Sequence, residues 1–306
     1  MMNPKHNIDG ILLIDKAIDP SSNGVLQRVK YLLGAKKAGH TGTLDPMATG
    51  MLPICFGEAT KFSNYLLDAD KTYMATGLLG IKTDTADAMG NVISSVENVS
   101  VSESQLRMAL ANFTGTIKQV PSMYSALKHQ GKPLYKYARE GVEIVREARE
   151  ITIHDLELNQ FDGKEFCITV RVSKGTYIRN LIEDIGDVLS VGAHVTQLRR
   201  LHTAGFSTSD SMVTVDKLEE LTLLERRALL LPMERAIEHL PCFSLTTEQS
   251  QQMRQGQIIP TDAGLFLEGV VRLYENNTQF IGLGEWQSPT ELKAKRLLSN
   301  FSLVGL

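Results

Sequence analysis

Apolar and polar positions divide this chain of 306 residues into strand-period, helix-period and loop segments. Ile8 to Ile14 is an apolar run of strand length. From about Asn23 the period becomes helical, with Val25, Val29, Leu32 and Leu33 on one face and Gly34 as the stop. Leu52 to Phe56 and Lys71 to Leu79 read as strands, the second carrying Tyr73. Ser102 and Gln105 form a capping-box pair that opens a helix with Leu106, Leu110 and Phe113 on one face, closed by Gly115. Ile151 to Asn159 and Glu165 to Ser173 flank an Asp162-Gly163 turn, and the alternation of Phe166, Ile168, Val170 and Val172 predicts a hairpin. Gly175 to Arg179 leads into a helix with Ile178, Ile182, Ile185 and Leu189 on one stripe. Tyr177 and Arg179 therefore lie at a strand-to-helix junction, a common place for functional side chains.

Past Pro241, Thr246 and Gln249 cap a short helix, and several short strands are expected between Gln257 and Gln287. The pattern divides the chain into a large domain, 1–240, and a small β-rich one, 241–306. The cysteines Cys55, Cys167 and Cys242 form no CxxC pair, which argues against a zinc cluster or a disulfide framework and for a reducing compartment. The first residues lack the apolar run of a signal peptide, and no segment approaches the roughly 20 apolar residues of a membrane span. A soluble cytoplasmic protein with no membrane partner is the expectation.

A net charge of −3 argues weakly against a polyanionic partner, but the distribution of charge argues for one. Lys128, Lys132, Lys136, Arg139, Arg146 and Arg149 gather between 121 and 150 against Glu140, Glu143 and Glu147. Acidic residues gather at Asp84, Asp87, Glu97 and Glu103, and again at Asp216, Glu219, Glu220 and Glu225; these are expected to face away from a polyanion.

Candidate chemistry centres on the loop from Gly39 to Gly50, whose three glycines allow close approach of another chain or ligand. Gly34 to Thr41 is nearly a phosphate-cradling G-x-x-x-x-G-K-[ST], but His40 replaces the lysine and a helix precedes the loop where the motif needs a strand. An aspartyl-phosphate enzyme needs further carboxylates or a lysine around magnesium, and Asp45 is followed by Pro46 and Met47. Asp84 and Asp87 read as solvated turn residues, and the seven histidines show no metal-ligand spacing. Taken alone, Asp45 reads as a turn aspartate capping nearby amides.

Its neighbours change that reading. Gly39-His-Thr-Gly-Thr-Leu-Asp45-Pro-Met-Ala-Thr-Gly50 resembles the catalytic-aspartate motif of the TruB family, bacterial tRNA pseudouridine synthases that act on the T-arm uridine, position 55. Lys71-Thr-Tyr73, Gly80 to Asp87, Gln119 to Tyr135, Ala138 to Gly141, Arg146 to Arg149, Lys174-Gly-Thr-Tyr177-Ile-Arg179 and Leu198-Arg-Arg-Leu201 follow in family order. The resemblance covers about Ile8 to Phe206 and extends less distinctly towards the C-terminus. One departure stands out: where the family has Lys-Pro-x-Gly, this chain has Lys16-Ala17-Ile18-Asp19, a change expected to affect local backbone shape rather than chemistry.

The resemblance implies an α+β fold, with a catalytic domain on a large mixed, mainly antiparallel sheet flanked by helices and a PUA-like RNA-binding module after it. It also implies isomerisation of uridine to pseudouridine without a cofactor or metal, and no obligatory protein partner, the chain acting as a monomer on tRNA. Asp45 would be the nucleophile, at C1′ of the sugar or C6 of the base. Arg179 would pair with it, and Tyr73 would stack on the base and help remove the C5 proton. Tyr177 and Leu198 would line the uracil site, His40 would fill the space left by flipped bases, and Lys128, Arg139, Arg146 and Arg149 would hold phosphates. A non-enzymatic RNA-binding protein and a magnesium-dependent phosphotransferase are the alternatives.

Overall fold

The computed structural model describes residues 5–261 and 269–299. The first strand, β1 (Gly10–Lys16), is apolar on both faces because both are covered: Leu12 and Ile14 join one core, Ile11 and Leu13 another. Ser21 caps α1 (Ser22–Leu32) by accepting from the Gly24 amide, and Val25, Leu26, Val29 and Leu32 pack on the sheet. Next, β2 (Ala38–His40) and β3 (Thr49–Phe56) bracket the loop that carries Asp45. After α2 (Ser63–Asp68) and β4 (Lys71–Leu79), a small hairpin pairs β5 (Ile81–Thr83) with β6 (Val92–Ser95).

The capping box of Ser102 and Gln105 opens α3 (Glu103–Ala111) as its sequence indicates. The helix ends earlier than expected, at Asn112, whose N–H donates to the Ala109 carbonyl while the Phe113 N–H donates to Leu110; Gly115 begins β7 (Gly115–Gln119) instead. Between 121 and 148 lie β8 (Lys128–His129), β9 (Lys132–Pro133) and α4 (Leu134–Arg139). The long hairpin joins β10 (Arg149–Phe161) to β11 (Glu165–Val172), its turn held by the Asp162 carboxylate accepting from the Lys164 and Glu165 amides. Then come α5 (Ile178–Val188), β12 (Ala193–Thr203), α6 (Val215–Glu220) and α7 (Leu223–Ala228). Beyond these are β13 (Cys242–Leu245), α8 (Thr247–Arg254), β14 (Ile259–Pro260), β15 (Val270–Glu275), β16 (Gln279–Ser288) and β17 (Glu291–Leu297).

The main sheet has the order β1-β3-β12-β4-β11-β10-β7, with β2 also on β3. Its pairings are antiparallel except β12 with β3, so the sheet is mixed and mainly antiparallel, as expected. Helices α1, α3, α5 and α6 cover one face. On the other, Phe62 and Leu66 meet Phe280 and Leu283 of the second sheet, whose order is β13-β15-β16-β17-β14. Among the described residues no helix is long and apolar enough to cross a membrane.

The topology puts the site at one place. The parallel pairing of β12 with β3 sets Gly50, at the end of the Asp45 loop, against Arg200, and β12 then pairs Arg200 with Tyr73 on its other side.

Candidate active site

The Asp45 loop is pinned from below by the start of the chain. The Ser22 hydroxyl donates to the Leu44 carbonyl and accepts from the Leu44 amide, both at 2.8 Å. Lys16, fully buried, donates through Nζ to the carbonyls of Ala17, Pro46 and Ala48, and the Asp19 amide adds a bond to Pro46. Burial brings the Lys16 pKa down to about 8.

Arg179 meets Asp45 at the start of α5. Its Nε lies 2.9 Å from Asp45 Oδ2, while the guanidinium itself is buried. Nη1 donates to the Thr85 carbonyl and faces Asp87 at 3.4 Å, and Nη2 donates to the Tyr124 carbonyl. Such saturation leaves the guanidinium one orientation. Burial pushes the Asp45 pKa up; the Arg179 charge opposes this most, and Asp87 adds to the rise.

Asp45 sits where two cavities meet. One, of about 400 Å³, is lined by Asp45, Tyr73, Tyr177, Arg179 and Leu198, bringing five nominated residues together. The other, of about 770 Å³, has His40, Asp45, Arg139 and Arg179 on its walls. Burial, with the Arg200 charge, lowers the His40 pKa and so favours the neutral imidazole. A third cavity, about 820 Å³ at the junction of the two sheets, contains none of the nominated residues.

Family models match most of the chain. A family model described as TruB family pseudouridylate synthase (N terminal domain) matches residues 30–178. Two more match behind it, tRNA pseudouridylate synthase B C-terminal domain over 179–238 and Pseudouridine synthase II TruB, C-terminal over 241–298. A tRNA pseudouridine synthase B of Legionella pneumophila is 53% identical over 293 residues, 96% of each chain. The chain belongs to the TruB family. A second relative of that name, from Methylobacillus flagellatus, is 51% identical over 294 residues, covering 96% of both chains. Among solved structures, a Cbf5-Nop10-Gar1 complex superposes with a TM-score of 0.70 at 26% identity, covering 94% of this chain and 84% of that one.

Within this TruB chain, several side chains at the site carry no signal in the sequence pattern. Asp84 and Asp87, expected as solvated turn residues, line the larger Asp45 cavity. Asp87 is buried, not solvated, because the Thr85 hydroxyl, the Met89 amide and Arg179 satisfy it. Gln119, also buried, clasps the backbone of Tyr177 by donating to its carbonyl and accepting from its amide. The departure from the family's Lys-Pro-x-Gly leaves Lys16 in place and shows in the backbone, where Asp19 takes φ 82, a left-handed value that glycine adopts without strain.

The segment expected to grip RNA is mixed in its exposure. Lys128, Arg139 and Arg149 are exposed, Arg139 stacking over Tyr135 at 5.5 Å. Arg146 instead turns inward, half-buried in a recess of about 290 Å³ with Glu143 at 3.8 Å.

Proposed function

We propose that this chain converts the T-arm uridine of tRNA to pseudouridine, with Asp45 as the nucleophile acting on a base flipped out of its stack. The observation that carries the reading is the Asp45–Arg179 pair at 2.9 Å, held where two cavities meet in a pseudouridine synthase fold. The N1–C1′ bond breaks, the base turns, C5 joins C1′, C5 loses its proton and N1 gains one. Reactant and product are isomers, so the step needs no redox partner. Asp45 serves by attack at C1′ or at C6, and Arg179 keeps it charged and aimed.

The smaller cavity takes the uracil, with Tyr73 stacked on it and near C5, Tyr177 close to the sugar edge and Leu198 as an apolar wall. Unstacking costs a few kcal/mol. Stacking on an aromatic face returns about 1–3 kcal/mol per base, and His40 fills the place the base leaves. Lys128, Arg139 and Arg149 bind phosphates, and residues 241–306 act as a further RNA-binding domain beside a catalytic domain of 1–240. The enzyme works as a single chain in the cytoplasm, without a cofactor.

The test follows tritium released from C5 of uridine in a T-arm RNA, with EDTA present and no nucleotide added. Release under these conditions is expected. No release here, with phosphoryl transfer from ATP once magnesium and ATP are added, would replace this reading by a phosphotransferase.

A further inference from the structure

Arg200 is a buried cation with no carboxylate within ion-pair distance among the described residues, and the reaction as drawn gives it no task. Burying an unpaired charge is costly unless hydrogen bonds repay it. Its bonds go to the two ends of the Asp45 loop: Nε donates to the Met51 carbonyl at 2.7 Å and Nη2 to the Gly42 carbonyl at 3.2 Å.

Strand pairing explains why those carbonyls need a side chain. Along one edge of β3, residues 54–56 pair with β2 and residues 49–50 pair with β12. The Thr41 amide serves Pro53 on that edge, and Met51 falls in the gap where the two partner strands part to let the Asp45 loop out. A backbone carbonyl there has no ladder partner, and the Arg200 side chain supplies one.

Two glycines make room for it. At Gly50 (φ 95) a Cβ would stand 2.4 Å from the Arg200 carbonyl, and at Gly42 (φ 99) a Cβ would stand 3.3 Å from Arg200 Nη1. Gly42 therefore leaves room for the Arg200 side chain and Gly50 for the Arg200 backbone, while the third glycine of the loop, Gly39, has nothing within 4 Å of a Cβ. The Arg200 backbone also lies between Gly50 and Tyr73.

We propose that Arg200 is a positioning residue that clamps both ends of the Asp45 loop and so fixes the Asp45 carboxylate against Tyr73 across β12. Its charge reaches further, depressing the pKa of Lys71 and His40 after the larger effect of burial. The proposal rests on the reading of Asp45 as nucleophile.

The experiment compares wild type, Arg200→Lys, Arg200→Met and Asp45→Asn by melting temperature, affinity for T-arm RNA and single-turnover rate. Arg200→Lys keeps the buried charge but loses the planar fork that spans the Met51 and Gly42 carbonyls, so it decides alone if Arg200→Met does not fold. Expected for Arg200→Lys is a folded protein with RNA affinity within about threefold of wild type and a rate about 100-fold lower, the scale of a 1 Å misplacement. Arg200→Met should be slower still. A rate within about twofold of wild type in Arg200→Lys, with Asp45→Asn inactive, would overturn the positioning role and leave the nucleophile standing. An active Asp45→Asn would overturn the nucleophile, and this proposal with it.

Discussion

Arg179 holds Asp45 from one side only: its Nε meets Oδ2 at 2.9 Å while both terminal nitrogens are committed to Thr85, Asp87 and Tyr124. Asp45 keeps about a third of its side chain exposed, at 35%, against 4% for Arg179. A carboxylate oriented by a rigid cation, yet open on its far side, is the arrangement a nucleophile requires.

Asp87 tunes that pair through charge. Because burial and Asp87 raise the Asp45 pKa above its ordinary 3.8, activity should fall on acidification before that value is reached. Replacing Asp87 by Asn removes a negative neighbour, which lowers the Asp45 pKa and moves the acid limb to lower pH. It also frees Arg179 from one partner, with an expected rate loss of about tenfold, or 1.4 kcal/mol. A pH–rate profile at saturating RNA checks both, and an unmoved limb would separate Asp87 from Asp45.

Lys71 gives a stability test with a definite sign. Burial and Arg200 lower its pKa from 10.5 to about 8, its Nζ donating to the Leu67 and Ala69 carbonyls. Between these values the unfolded chain binds the extra proton, so Lys71 detracts from stability below pH 8 and this cost shrinks as pH rises towards 10.5. Lys71→Met should therefore be most favourable, relative to wild type, below pH 8, and lose ground by at most about 1.4 kcal/mol per pH unit above it. Urea unfolding of both proteins across that range measures the trend, and a flat difference contradicts it.

For the phosphate contacts, Lys128→Ala with Arg139→Ala should weaken RNA binding and lower its salt slope by roughly 1–2. Arg146→Ala should change the slope little, since that side chain is turned into a recess with Glu143. Titrations at several salt concentrations decide, and an unchanged slope in the double variant would take those two residues off the phosphates.

His40 should matter only where bases must leave a fold. His40→Ala is expected to slow turnover about tenfold on a folded T arm and much less on an unstructured RNA with the same uridine, because only the former pays for unstacking. Equal losses on both would remove the space-filling role.

Much of this architecture is legible in the chain. The stripe Val25, Val29, Leu32, the alternation in Glu165 to Val172 and the capping box at Ser102 each became the element they indicate, since local propensity and burial agree there. Asp45 and Arg179 were legible as a pair only through motif order, because 134 residues separate two positions that no periodicity links. What stayed hidden is a set of buried polar groups: Lys16, Lys71, Asp87, Gln119 and Arg200. Hydropathy assigns such residues to the surface, and their burial depends on carbonyls and amides freed by loops and strand ends elsewhere in the fold. The early end of α3 at Asn112 has a local cause, a cap that formed before Gly115 was reached.

The most direct test of the nucleophile is Asp45→Asn in single turnover on a T-arm RNA tritiated at uracil C5. Asparagine preserves shape and removes the charged oxygen, so the expected result is RNA affinity within about threefold of wild type and tritium release slowed by at least about 10³-fold, roughly 4 kcal/mol of barrier. Release at the wild-type rate would contradict the assignment of Asp45.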